Sequence, residues 1–184
     1  MFKYKNLNFS YIHGSFNYCY WNGLLNSNHG LTVMYDDFLY YSNKAEVPLS
    51  LNFSNICLEE YDFYDSMGNV ILKLLENGSN VIELSNLNFM KYINEKYPFY
   101  KFILSSNYFL INKDINYKEL NENENIKFII IPDDKRNDLD FLNQFNKNKI
   151  ILGINPICDI NCQNLSNCIF VNNLSQYNYS NMCS

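Results

Sequence analysis

The feature that most constrains this chain is a rhythm. Short runs of β-branched and aromatic residues alternate with stretches of helical period along most of the sequence. The extended candidates are 7–12, 48–53, 80–84, 101–104, 127–131 and 149–154. Phe128-Ile129-Ile130-Ile131 and Ile150-Ile151-Leu152 are apolar without a break. Such runs suit strands covered on both faces, as in a parallel sheet. Between them, 62–77 places Phe63, Met67, Val70, Ile71, Leu74 and Leu75 at i, i+3 and i+4 spacing. Gly78 stands where a left-handed helix cap is expected. Segment 87–97 aligns Leu87, Met90, Ile93 and Tyr97, with Ser85 or Asn86 as cap and Pro98 as stop. Segments 32–43, 114–122 and 138–146 complete the helical series.

This order predicts an α/β fold of parallel β/α repeats with right-handed crossovers. A partial or modified TIM-barrel-like arrangement is the expectation, and a doubly wound open parallel sheet is the alternative. A complete barrel takes ~250 residues, and the chain has 184. No boundary stands out, so 1–184 reads as a single β/α domain with a Cys-rich C-terminal tail from about 155.

Composition excludes several classes. Lys+Arg number 14 against 19 Asp+Glu, for a net charge of -5, and Arg136 is the one arginine. A nucleic-acid partner needs a concentrated basic face, so none is expected. No apolar run approaches the ~18 residues of a membrane span. The first fifteen residues lack the apolar core of a secretion signal, and the expected location is the cytoplasm. The 33 Asn beside one Ala and one Arg match AT-rich codon usage, so an isolated Asn carries little weight.

In both candidate architectures ligands bind at the carboxyl ends of the strands. His13 follows the first expected strand, Asn55 the second, Asn86 the third, Ser106 the fourth and Asn155 the sixth. These five are the candidate substrate-binding residues. Asp133 and Asp134 follow the fifth, but Lys135 and Arg136 come next, which suits a solvated turn. Trp21-Asn22-Gly23 reads as a packed loop over this rim.

Cys158, Cys162 and Cys168 crowd the segment after the last strand. Three thiolates in one compact loop can hold zinc or an iron–sulfur cluster. Structural thiols and a disulfide are the competing readings. The fourth ligand is left open among Cys183, Cys57, Cys19, His13 and water. No dinucleotide-binding, Walker, serine-hydrolase or zinc-protease motif is present.

The layout resembles uncharacterised bacterial and phage-associated β/α proteins related to the collagenase-like peptidase family, which includes iron–sulfur proteins of tRNA and ubiquinone hydroxylation. The residues that carry the resemblance begin with Gly14-Ser15-Phe16, Trp21-Asn22-Gly23 and Asn55. They continue with Glu59-Glu60, the run from Tyr97 to Phe102, Ser105-Ser106 and Asn155-x-x-Cys158-x-x-x-Cys162. The resemblance implies a partial barrel with its ligand site at the strand carboxyl ends. It also implies that Cys168 stands where the relatives carry His, which keeps a metal ligand. The family's peptidase signature is absent, so proteolysis is not implied.

The resulting expectation is a soluble β/α-barrel-like protein with a Cys-ligated metal or iron–sulfur site on the rim and a small-molecule or peptide-like ligand. The alternatives are a non-catalytic binding or scaffold domain with structural cysteines, and a collagenase-like peptidase-type hydrolase. Catalytic residues and oligomeric state are left unassigned.

Overall fold

A computed structural model describes residues 10–16, 19–23 and 47–153. Six strands form its sheet: β1 (Ile12–Gly14), β2 (Leu49–Phe53), β3 (Val81–Leu84), β4 (Lys101–Leu104), β5 (Ile126–Ile130) and β6 (Ile150–Ile151). They lie side by side in chain order, and every neighbouring pair is parallel. A doubly wound sheet must reverse its order at a switch point. This sheet does not, so the alternative falls and the partial-barrel architecture stands.

The sheet is curled. Tyr11, next to β1, packs its ring 6.4 Å from that of Phe128 in β5. In a flat sheet four strand spacings would hold these residues roughly 19 Å apart. Lys127 Nζ reinforces the contact by donating to Tyr11 Oη at 2.6 Å. A bulge helps the curl: Phe102 pairs with Ile126 but Ile103 pairs with Phe128, so Lys127 is an extra residue in β5. Bulges bend a strand and increase its twist. The result is a half-barrel.

Alternation along the strands gives the half-barrel two unlike faces. Leu49, Leu51, Phe53, Ile82, Leu84, Phe102, Leu104 and Ile129 join the helical residues in one apolar core. Each such side chain contributes roughly 1.5–3 kcal/mol on burial. The opposite, concave face carries His13, Ser50, Asn52 and Glu83, together with Val81 and Ile103.

The expected helix over 62–77 is two elements, a 3-10 turn at Glu60–Tyr64 and α1 at Ser66–Leu74. Asp65 breaks them apart with an extended backbone, and its carboxylate accepts from Gly68 N at 2.7 Å. The inward stripe becomes Gly68, Ile71, Leu72 and Leu75, leaving Val70 and Leu74 exposed. Trp21 explains the shift. Its indole occupies the space a Cβ on Gly68 would need, donates Nε1 to Asp62 O at 2.7 Å, and meets Phe53 and Phe89 edge-on. Gly78 is left-handed as expected (φ 74°), but in the turn that leads to β3.

Helix α2 (Leu87–Lys96) matches expectation, with Asn86 as its cap and Phe89, Met90 and Ile93 buried. Helices α3 (Tyr108–Ile111), α4 (Tyr117–Glu122) and α5 (Leu139–Leu142) are short. The expected helix over 138–146 shrinks to α5, because Phe141 and Phe145 turn into an aromatic cluster with Phe109 and Tyr117. The expected helix over 32–43 lies outside the described residues. Among those residues, no helix is long and apolar enough to cross a membrane.

Candidate functional site

Among the described residues, the concave face holds a polar constellation that strand geometry assembles. Register pairs His13 with Ser50, and Asn52 with Glu83. Nδ1 of His13 lies 3.3 Å from Glu83 Oε2 and 3.4 Å from Ser50 Oγ. On the other side of the ring, Asn52 Nδ2 lies 3.4 Å from Nε2. Ser105 Oγ, just past β4, donates to Glu83 Oε1 at 2.7 Å.

Exposure differs sharply within this group. The Glu83 side chain is 8% exposed and that of His13 is 37% exposed. Burial pushes the Glu83 carboxyl above its ordinary value, and the His13 imidazole and the Ser105 hydroxyl pull it partly back. A buried carboxylate costs several kcal/mol unless it is paired and hydrogen-bonded. Both Glu83 oxygens have a hydrogen-bonding partner, and the imidazole is the one that reaches solvent. A carboxylate behind an imidazole fixes the ring's orientation and tautomer, which is how a histidine is readied to take or give a proton.

The carboxyl edge above the constellation is closed by small residues. Ser54, Ser85 and Ser105 directly follow the in-register residues Phe53, Leu84 and Leu104. All three are buried, and Ser85 Oγ donates to Ser54 O at 2.9 Å. The segment 19–23 crosses here. A Cβ on Gly23 would overlap Ser54 Oγ and stand 2.9 Å from Asn52 Oδ1, so only glycine lets the backbone pass. The loop expected from Trp21-Asn22-Gly23 is therefore packed, with Trp21 fully buried.

The residues singled out from sequence fall in different places. His13 was expected beyond the first strand, but β1 runs Ile12–Gly14 and places it within the strand, on the concave face. Asn55 is fully buried; its Nδ2 donates to Tyr20 O at 2.8 Å and its Oδ1 accepts from Cys57 N at 2.8 Å. Asn86 Oδ1 caps α2 by accepting from Asn88 N and Phe89 N, while Nδ2 reaches Leu58 O. The Asn55 and Asn86 amides thus hold the chain's own loops. Ser106 lies in the turn before α3, its carbonyl accepting from Phe109 N at 3.1 Å. Asn155 and the metal candidates Cys158, Cys162 and Cys168 lie outside the described residues.

Among the described residues, no group of three or more His, Cys, Asp and Glu is placed to hold a metal. Burial raises the thiol of Cys57 and, much further, that of Cys19. Neither thiol has the lowered value of an activated nucleophile. A shallow hollow of about 510 Å³ sits at the opposite, amino edge, lined by Lys101, Lys127 and Lys149 with Glu122 and Glu124. Its lysines serve the fold: Lys101 donates to Asn125 Oδ1, and Lys149 to Asn121 O and Asn123 O.

Sequence reasoning missed Ser50, Asn52 and Glu83. The available signal was alternation: Leu49-Ser50-Leu51-Asn52-Phe53 and Val81-Ile82-Glu83-Leu84 each set polar residues at every second position or inside an apolar strand. Compared with protein-family models, curated proteins and solved structures, the chain matches none.

Proposed function

We propose that this protein binds a small polar molecule on the concave face of its half-barrel, with His13 as the proton-exchanging group and Glu83 as its orienting carboxylate. The observation that carries this reading is the 3.3 Å contact between a buried carboxylate and a ring 37% exposed. Ser50, Asn52 and Ser105 supply the hydrogen bonds that hold the pair. Polar clusters of this cost are concentrated at functional sites. A reducing, cytoplasmic setting belongs to the same proposal and fits Cys19 as a free, buried thiol.

The test is a titration of ¹⁵N-labelled protein with ribose, adenosine and glycylglycine amide, read at His13, Asn52 and Ser105. Saturable shifts that vanish in His13→Gln and Glu83→Gln are expected. If none of the three probes moves these signals, the reading fails.

A second reading keeps zinc or an iron–sulfur cluster on Cys158, Cys162 and Cys168, as the resemblance to collagenase-like peptidase relatives implies. Its support is topological: β6 runs parallel to β5, so the chain leaves β6 from the carboxyl edge toward these cysteines. Metal analysis and a visible absorption spectrum of anaerobically purified protein test it. Colourless, metal-free protein would remove it.

A further inference from the structure

We propose that Asn52, anchored by Ser54, is a positioning residue that fixes His13 as the Nδ1–H tautomer and leaves the Nε2 lone pair facing the concave side. The orientation of the Asn52 amide is fixed by its partners. The two ends of an amide look alike in shape, and only their hydrogen bonds tell them apart. Here one end faces the backbone N of Ser54 at 3.1 Å and its Oγ at 2.6 Å. A backbone N–H only donates, so the atom facing it must be Oδ1. The other end, 3.4 Å from His13 Nε2, is therefore the NH₂ group, which also only donates.

A donor at Nε2 requires an acceptor there, so Nε2 carries the lone pair and the ring proton sits on Nδ1. The opposite side of the ring agrees when Glu83 is ionised: Nδ1 faces Oε2 at 3.3 Å, and a carboxylate oxygen only accepts. The amide donor at Nε2 and the carboxylate at Nδ1 select the same tautomer, and Ser50 Oγ, 3.4 Å from Nδ1, can accept from it too. Gly23 supports the arrangement, because its missing Cβ leaves room for Asn52 Oδ1 and Ser54 Oγ to meet.

The consequence concerns the ligand and rests on the reading of this face as a binding site. The Asn52–Nε2 contact of 3.4 Å is longer than the usual ~2.9–3.0 Å for such bonds. A ligand O–H or N–H at ordinary distance makes a better donor to the same lone pair. The fitting class is a neutral molecule rich in hydroxyl or amide hydrogens. An anion finds no Lys or Arg among the residues bonded to His13 and Glu83.

The tautomer is measured directly by two-bond ¹H–¹⁵N correlation spectra of ¹⁵N-histidine-labelled protein. The chain has two histidines, and His29→Gln identifies the signals of His13. The expected pattern is a pyrrole-type Nδ1 and a pyridine-type Nε2. In Asn52→Asp both side-chain ends accept, so Nε2 is expected to move to the pyrrole-type position. In Ser54→Ala the backbone N–H still anchors Oδ1, so the wild-type pattern is expected to persist. A pyrrole-type Nε2 in the wild type, or an unchanged pattern in folded Asn52→Asp, overturns the proposal. Should Asn52→Asp fail to fold, the wild-type spectrum decides alone. The expected tautomer with no response to ribose, adenosine or glycylglycine amide would sink the binding reading and leave the positioning role standing.

Discussion

Glu83 and His13 meet at 3.3 Å although a whole strand, β2, lies between them. Strands two apart are separated by about 10 Å in a flat sheet. The contact therefore depends on the curl of the half-barrel and on a small residue, Ser50, at the crossing point. The arrangement loads the fold with a carboxyl whose value is raised by burial above the ordinary 4.5. A raised acid holds its proton more tightly in the folded state. Its favourable contribution is complete below pH 4.5 and is lost as pH climbs through the folded value. Glu83→Gln keeps an acceptor for Ser105 Oγ and removes the charge. The variant is expected to gain stability over the wild type as pH rises from 4.5 to neutrality. Paired thermal melts across that range check it; a constant difference between the two proteins would contradict it.

Ser105→Ala tests the same carboxylate from its other oxygen. The hydroxyl donates to Glu83 Oε1 at 2.7 Å inside the protein, where water does not replace it easily. Losing a hydrogen bond to a charged group costs roughly 1.5–3 kcal/mol. That cost applies when Glu83 is ionised, so it should shrink in acid. Denaturant unfolding at acidic and neutral pH measures it, and equal losses at both would show that the hydroxyl does not serve the charge.

The order of the strands was legible because β-branched and aromatic runs such as Phe128 to Ile131 announce themselves. The closed packing around Trp21 was less so. The reading of 62–77 as one helix followed the apolar period, but nothing local says that an indole from Trp21 fills the place of a side chain at Gly68. That contact joins residues far apart in sequence and moves the buried stripe by tertiary packing. The polar site was missed for a related reason. Loop positions after each strand are visible in sequence, while Ser50, Asn52 and Glu83 converge only once the sheet is curled and in register. His13 was found, but as a loop residue, because β1 begins at Ile12, where the expected strand ends, and runs to Gly14.

Gly68→Ala measures that packing. The new methyl would collide with an indole that is fully buried and pinned through Nε1 to Asp62 O. In an ordinary exposed helix, Gly→Ala would stabilise by up to about 1 kcal/mol. Here overpacking is expected to prevail, at about 1–3 kcal/mol of lost stability. A change in Trp21 fluorescence should accompany the loss, since the chain has one tryptophan. Stabilisation by the alanine would mean that the indole has room to move.

Asn86→Ala separates a cap from a ligand contact. Asn86 was expected to line the binding rim, yet its Oδ1 accepts from Asn88 N at 2.9 Å and Phe89 N at 3.1 Å, and its Nδ2 holds Leu58 O at 3.4 Å. Alanine leaves the first amides of α2 without that acceptor. Loss of an N-cap costs about 0.5–2 kcal/mol, and Phe89 and Ile93, which α2 delivers to the core, transmit the loss to the whole fold. The expected outcome is a lower melting temperature with unchanged probe shifts at His13. If the probe shifts weaken while the melting temperature holds, Asn86 belongs to the ligand and the binding surface extends from the concave face to the start of α2.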